Sequence, residues 1–422
     1  MFLKRRRAGI PMSTLLKSRR EDTAGNAIPI GLAILSGLCL IVDGYDVQAM
    51  GYVGPAIVQD WRLHASQLGP VFGAGLFGVL IGSLLLSMAA DRFGRRRVLL
   101  ASTLLSGVFT LATAMAGSMN ALLAMRFVAG VGFGGIFPNV VALMGEHSPP
   151  RMRSTVMMFV ACGFTAGAAL GGFVASALIP AFGWRSVFYT GGVAPLILSG
   201  VLFFVLPESL HLEPRRIPVV DLLTRDRAGS TVLLWTINFM NLLDLYFLSS
   251  WLPTIARGAG QTTASSILTG ATLQVGGIVG TIAIAWLVHR LGFIPVLTVC
   301  FAIASLNIAV IGWPTAPPLL LFGAVFVAGL CVVGGQIATI ALAGTYYPAY
   351  LRSTGIGWGL GIGRIGAILG PVWAGQLIRL HWAPQALFTT AAAPMLISAA
   401  AILPLRWLMK TNTAEVPFRT KL

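Results

Sequence analysis

The chain has 422 residues, 56% of them hydrophobic and only 10% charged, with a mean hydropathy of +0.84. That composition excludes a water-soluble globular core and points to a polytopic helical membrane protein with little material outside the bilayer. The net charge of +16 raises the question of a nucleic-acid partner, but the basic residues gather in alternate loops, as the positive-inside rule requires, and none is expected.

The start, MFLKRRRAGIPM, is basic, with Met1 and Met12 both candidate initiators. No short apolar region with a cleavage site follows it, so no removable signal peptide is expected. Residues 1–27 read as an N-terminal tail. Apolar windows then place twelve spans near 28–54, 66–89, 98–116, 119–144, 154–179, 185–206, 230–256, 264–288, 294–313, 318–344, 353–379 and 384–408. The polar stretch 207–229 divides them into six-helix bundles over 28–206 and 230–408, and a tail covers 409–422. The predicted fold is therefore an all-α membrane protein with twelve transmembrane helices in two pseudo-symmetric bundles. Of the 29 Lys and Arg, 23 fall in the termini and the loops on the same side as them, which predicts both termini, and the central loop, in the cytoplasm. Four cysteines, Cys39, Cys162, Cys300 and Cys331, lie in apolar runs without metal-ligand spacing and read as small hydrophobes.

The halves repeat. At an offset of 198, Asp46, Pro55, Arg92 and Gly94 meet Asp244, Pro253, Arg290 and Gly292. At an offset of 199, Arg153, Ser154 and Thr155 meet Arg352, Ser353 and Thr354, and Gly167, Ala168, Leu170 and Gly171 meet Gly366, Ala367, Leu369 and Gly370. Parallel six-span repeats suit a transporter with a site near the bilayer midplane, between its halves.

The first span carries the strongest anomaly. Asp43 and Asp46 sit in its middle, where each charge costs roughly 2.5–3.5 kcal/mol on insertion scales. Three residues apart, they share one helix face. Intramembrane acids mark ion or substrate paths, so the pair is expected to face a wet cavity and handle protons. A polar residue satisfied against a neighbouring helix is the alternative.

The loop 91–97, DRFGRRR, has the form D-R-x-G-R-R between the second and third spans. With DGYD at 43–46, RFVAGVGFGG in the fourth span, LPES at 206–209 and YYPAYLRSTGIGWGLGIGRIGAILGP at 346–371, the chain resembles the major facilitator superfamily, and within it the aromatic acid:H⁺ symporters of the 4-hydroxybenzoate permease type. The resemblance covers nearly the whole chain. It departs at Ser87, where the loop motif usually begins with Gly, at His289, where the second copy often has Asp, and in a shorter central loop.

Asp91, at a helix boundary, is expected to accept backbone N–H bonds at the start of the eleventh span, latching the cytoplasmic side shut. Arg92, Gly94, Arg95, Arg153, Arg352, Ser353 and Thr354 belong to the same latch. Glu146 is expected to pair with Arg95 or Arg153 as an exposed acid worth ~0–1 kcal/mol. Arg126, a few residues into the fourth span, has two readings: a buried cation held by Asp43, Asp46 or a substrate carboxylate, or a side chain snorkelling to the interface. Its repeat counterpart is Val325.

In the seventh span, Asp244 is a third proton-site candidate, although the 4-hydroxybenzoate type is apolar there, and Asn241 is the repeat partner of Asp43. Asn241, Tyr246, Gln336, Thr339, Phe133 and Phe137 are candidate substrate contacts by hydrogen bonding or ring stacking. Trp251 fits either an aromatic-lined pocket or an interfacial anchor. Arg364, in a span expected to be peripheral, reads as structural or gating. The glycine clusters 167–172 and 366–370 read as sliding surfaces.

The expected activity is proton-coupled import of an aromatic or related organic carboxylate by alternating access, with protons as the coupling ion and no cofactor or metal. Asp43 or Asp46 protonates outside and weakens its hold on Arg126, Arg126 takes the carboxylate, and deprotonation inside releases it. The expected setting is a bacterial inner membrane, with the chain multi-pass and monomeric. A proton-coupled exporter on the same fold is the alternative. No Gly-x-Ser-x-Gly or His-Glu-x-x-His motif supports a membrane enzyme, and the short tails leave no output domain for a receptor.

Overall fold

The computed structural model describes residues 30–149, 152–206, 219–224, 227–313, 317–348 and 351–413. The N-terminal tail, most of the central loop, including 207–209 of the LPES motif, and the end of the C-terminal tail lie outside the described residues, as do the side chains of Arg153 and Ser353.

Twelve helices are long and apolar enough to cross a membrane among the described residues, and no strand occurs there. They are α1 (Ile30–Asp60), α2 (Leu68–Phe93), α3 (Arg95–Ala114), α4 (Met119–His147), α5 (Arg153–Phe182), α6 (Arg185–Val205), α7 (Ala228–Gly258), α8 (Thr263–Leu291), α9 (Phe293–Ile311), α10 (Pro318–Tyr346), α11 (Arg352–Arg379) and α12 (Pro384–Thr413). A helix is the solution the composition permits, because every backbone group in hydrocarbon must be paired within its own segment. The helices overrun a bare bilayer crossing: α1 and α7 each have 31 residues and pass through Pro55 and Pro253 near their far ends.

The packing repeats as the sequence does. In the first bundle α1 lies against α5, α2 against α4, and α3 against α4 and α6; in the second α7 lies against α11, α8 against α10, and α9 against α10 and α12. Gly94 and Gly292 close the α2–α3 and α8–α9 junctions with φ of 92° and 83°, a left-handed region that a side chain disfavours. This explains why that glycine recurs in both copies.

The glycine clusters differ from the expectation of sliding surfaces. A Cβ on Gly167 would meet the Ile41 carbonyl oxygen at 1.9 Å, and one on Gly366 would meet the Phe239 carbonyl oxygen at 2.2 Å. Both contacts lie within a bundle, α5 on α1 and α11 on α7, so these glycines weld helices rather than let bundles slide. Gly172 is the member at the bundle boundary, where its Cβ would meet Ala271 at 2.6 Å.

The bundles meet through α1 with α7, α2 with α11 and α5 with α8. The close contacts lie on the arginine-poor side of the molecule. The Gly51 position faces the Ser249 backbone, Gly69 faces Gly375, and the Phe72 and Trp251 rings meet edge to face at 5.3 Å. Trp251 is fully buried and donates from Nε1 to the Pro371 carbonyl at 2.9 Å. It plugs the boundary between the bundles instead of anchoring at the interface, because the glycines beside it bring the backbones close. Further out, the His64 and His381 rings, one from each bundle, stand 5.9 Å apart. This conformation is sealed on the arginine-poor side.

Candidate functional site

Below that seal lies a recess with about 440 Å³ of empty space, lined by α1, α2, α4 and α7. Its walls include Val47, Gln48, Gly75, Arg126, Phe133, Tyr246 and Ser250. An apolar lining with a few convergent polar groups is the usual form of a small-molecule site.

Arg126 does not snorkel. It is 4% exposed, with Nη1 donating to Asp46 Oδ1 at 3.1 Å and Nη2 to the Asp46 backbone carbonyl at 3.1 Å. Thr110 Oγ1 donates to the other oxygen, Asp46 Oδ2. The Phe188 ring lies 5.5 Å from the guanidinium carbon. Asp46 is fully buried, and this set of partners offsets its desolvation. Arg126 is near the start of α4, yet it turns inward because Asp46 supplies both a carboxylate and a carbonyl at fork geometry.

Asp43 is also buried, but Oδ1 has no hydrogen-bond partner. The charges that act on it are Arg364, from the other bundle, and Asp46. Arg364 is therefore not peripheral. It faces the bundle boundary, donates to the Tyr246 hydroxyl at 3.5 Å, and makes no ion pair among the described residues. Its helix was expected to lie outside the cavity; the weld at Gly366 and Gly370 presses α11 onto α7 and carries Arg364 to the boundary beside Tyr246.

The other candidate contacts divide. Phe133 and Tyr246 line the recess. Phe137 instead lies edge-on to Phe164 at 6.1 Å, inside the first bundle. Gln336 turns into the second bundle and donates to Asn238 Oδ1 at 3.0 Å, and Thr339 donates to the Gly335 carbonyl of its own helix at 2.8 Å. Asn241 and Asp244 are fully buried, and none of their four side-chain polar atoms has a partner. All four residues sit on the inner side of the second bundle, where helix packing sets the rotation, so neither Gln336, Thr339 nor Asn241 points into the recess.

The latch is engaged differently from the expectation. Asp91 is half-exposed, with Oδ1 3.9 Å from Arg95 Nη2 on the next helix, and makes no ion pair or side-chain hydrogen bond to the start of α11 among the described residues. The close contacts between the bundles lie on the opposite side of the molecule. Glu146 Oε1 is 2.7 Å from Arg95 Nε, as one of its two pairings anticipated, but its side chain is only 6% exposed, so it is a buried partner and not a surface acid. Arg92 lies over the Phe93 ring at 5.4 Å, and Arg352 opens α11 exposed.

Thr110 and Phe188 were not anticipated. α3 also carries Ser102, Thr103, Ser106 and Thr113 on its buried face, and Thr103, Ser106 and Thr113 bond carbonyls of their own helix. Nothing in the sequence singles out Thr110 as the one that meets a carboxylate, and no spacing rule links α3, α4 and α6 to Asp46.

A family model described as "Major Facilitator Superfamily" matches residues 36–306 and 234–421. The chain is 35% identical to the 4-hydroxybenzoate transporter PcaK of Pseudomonas aeruginosa, with 88% of this chain and 91% of that protein covered. It is 34% identical to a gallate transporter of Pseudomonas putida, covering 88% and 90%, and 35% identical to a 3-(3-hydroxy-phenyl)propionate transporter of Escherichia coli, covering 88% and 93%. Among solved structures, a bacterial homologue of the human lysosomal transporter Spinster, inward-facing and occupied, aligns with a TM-score of 0.72 at 17% identity, covering 92% of this chain and 97% of that one. A D-xylose–proton symporter aligns at 0.69 and 17%, covering 87% and 97%. At these identities the structural likeness concerns the fold.

Proposed function

The chain belongs to the major facilitator superfamily, in its branch of aromatic acid permeases, and from that premise we propose that it imports an aromatic carboxylate together with protons by alternating access. The arginine-rich side is the cytoplasmic side in this reading, with both termini there and the protein in a bacterial inner membrane. The conformation described is then sealed outside.

The observation that carries the mechanism is the placement of Arg364. It is a cation at the bundle boundary beside the recess, with no ion pair among the described residues and with Asp43 within its electrostatic reach. Arg126 is already committed to Asp46 at two points, so its role is to hold the acid-bearing wall. Arg364 takes the substrate carboxylate, which its planar fork suits, while Tyr246 and Phe133 flank the ring. Asp43 carries the coupling proton. When Asp43 is protonated, Arg364 is free for substrate, and the occluded site is neutral enough to cross between states. When Asp43 loses its proton on the arginine-rich side, its carboxylate competes for Arg364 and substrate leaves.

Proteoliposomes with an imposed pH gradient test this reading, with 4-hydroxybenzoate, gallate and benzoate as probes. Asp43→Asn is expected to keep binding, since the amide imitates the protonated acid, and to lose uphill uptake. Retained uphill uptake in that variant rejects Asp43 as the coupling group, and outward pumping by the wild type rejects import.

A further inference from the structure

The second bundle contains a set of buried polar atoms that the central recess does not use. Asp244 lies at the middle of α7, fully buried, with Oδ1 and Oδ2 both unpartnered. One turn toward the arginine-rich side, both amide atoms of Asn241 are unpartnered as well, and so is Oε1 of Gln336 on α10. Gln336 in turn donates to Asn238, a further turn down α7. Asn238 lines a separate recess on the arginine-rich side between α7, α10 and α11, with about 220 Å³ of empty space. Two glycines keep space there: a Cβ on Gly355 would meet the Tyr347 ring at 2.4 Å, and one on Gly359 would lie 3.4 Å from Asn238 Nδ2. At Gly335 a Cβ would lie 3.7 Å from Asn241 Nδ2 and 2.8 Å from the Phe301 ring.

Residues 238, 241 and 244 are spaced by three and form one stripe on α7. The stripe leads from the arginine-rich recess to an acid that nothing neutralises. We propose that Asp244 is a proton-holding site separate from the central one, reached from the arginine-rich side along Asn238, Gln336 and Asn241. The inference rests on the proton-coupled reading for its role in transport, but not for the existence of the site.

Three arguments support it. A carboxylate at this depth with no hydrogen bond and no cation is held neutral, because an unpaired buried charge is disfavoured far more than a buried carboxyl group. On the helices packed against α7, Asp60, His289, Arg290, Tyr346, Arg352, Arg379 and Arg406 stand toward the helix ends, and the groups nearer the middle have other neighbours. Arg364 on α11 meets Tyr246, which is two residues on and so about 200° round α7; on α1, Asp46 is paired with Arg126, Tyr45 with Thr190 and Tyr52 with the Ala168 carbonyl, and Asp43 faces Arg364; Cys331 on α10 has Cys300 of α9 as its partner. Finally, Asn238 is held by the Leu234 carbonyl and by Gln336, which leaves Gln336 Oε1 and both amide atoms of Asn241 open between it and Asp244; open donors and acceptors are a poor way to pack a core but suit a lining for proton movement.

Infrared spectroscopy of the purified full-length protein tests the site. In an Asp43→Asn background, a carbonyl-stretch band from a protonated carboxyl group is expected at neutral pH, and it should vanish in Asp43→Asn/Asp244→Asn. Its exchange in heavy water should slow at least tenfold in Asn241→Leu/Gln336→Leu. A missing band, or a band that survives Asp244→Asn, overturns the site, and an unchanged exchange rate overturns the path. In proteoliposomes, Asp244→Asn is expected to move fewer protons per 4-hydroxybenzoate than the wild type; an unchanged ratio overturns the transport role. If wild-type uptake ignores the pH gradient, the proton-coupled reading fails, and the infrared measurement still decides on the site.

Discussion

Asp46 and Asp244 occupy the same place in the two repeats, and the two bundles treat them in opposite ways. In the first, Thr110 and Arg126 converge on Asp46 and satisfy both of its oxygens. In the second, the repeat positions of those partners are Ile308 and Val325, both fully buried and apolar, and both oxygens of Asp244 are left without partners. A duplicated backbone thus preserves where an acid points but not what it meets. One copy has become a rigid ion-paired wall of the central recess, and the other a lone acid behind it.

The largest expected effect breaks the first copy. Arg126→Ala leaves Asp46 buried without its cation, which costs roughly 3–5 kcal/mol. A steep fall in melting temperature in detergent, with loss of uptake, is expected; a melt within a degree or two of the wild type contradicts the buried pair. Arg126→Lys should recover little, because a single ammonium group cannot reach the carboxylate and the Asp46 carbonyl in the same way.

Next in size is Arg364→Ala. Losing a charge-assisted contact of about 1.5–3 kcal/mol predicts 4-hydroxybenzoate binding weaker by about 10- to 150-fold. Because Arg364 makes no ion pair among the described residues, the melting temperature of this variant should fall much less than that of Arg126→Ala. Isothermal titration and thermal unfolding of the two variants side by side separate a binding cation from a structural one.

The comparison sharpens with paired apolar substitutions. Asp46→Leu strands Arg126 and should destabilise. Asp244→Leu removes an unsatisfied group and should leave stability unchanged or raise it, by about 1–3 kcal/mol at most. Equal destabilisation by both would mean that Asp244 has partners equivalent to those of Asp46. The smallest effect is expected for Thr110→Val, which deletes one donor to Asp46 while Arg126 remains; a loss of about 1–2 kcal/mol in thermal or denaturant unfolding is anticipated.

Much of the fold was legible in the sequence. Span count, the division at the central loop and the repeat all follow from apolar run length and from the recurrence of residues such as Gly94 and Gly292. The site was legible in part. The acids stand out because charge is rare at that depth, and Asp46 is among the partners, with Asp43 and a substrate carboxylate, that the sequence offers Arg126. The direction of Arg126 was not legible, because a cation near a span end reaches either the interface or the interior, and only the position of Asp46 across two helices decides. The directions of Gln336, Thr339 and Asn241, and the closeness of Arg364 to the bundle boundary, are not legible for a related reason. In an apolar helix surrounded by helices or lipid, hydrophobic periodicity carries little information about rotation, so the inward face is set by which glycines allow close approach.

The sequence by itself determined that this chain crosses a membrane twelve times as two related halves and that it keeps charged groups where lipid disfavours them. Bilayer thickness and the cost of unpaired backbone impose those results on any such composition. Only the tertiary structure decided which charges meet. It joined Asp46 to Arg126 and Thr110, set Arg364 beside Tyr246 at the bundle boundary, and left both oxygens of Asp244 without a partner among the described residues. Those outcomes depend on angstrom-scale rotations and approaches between helices far apart in sequence, which local pattern does not encode.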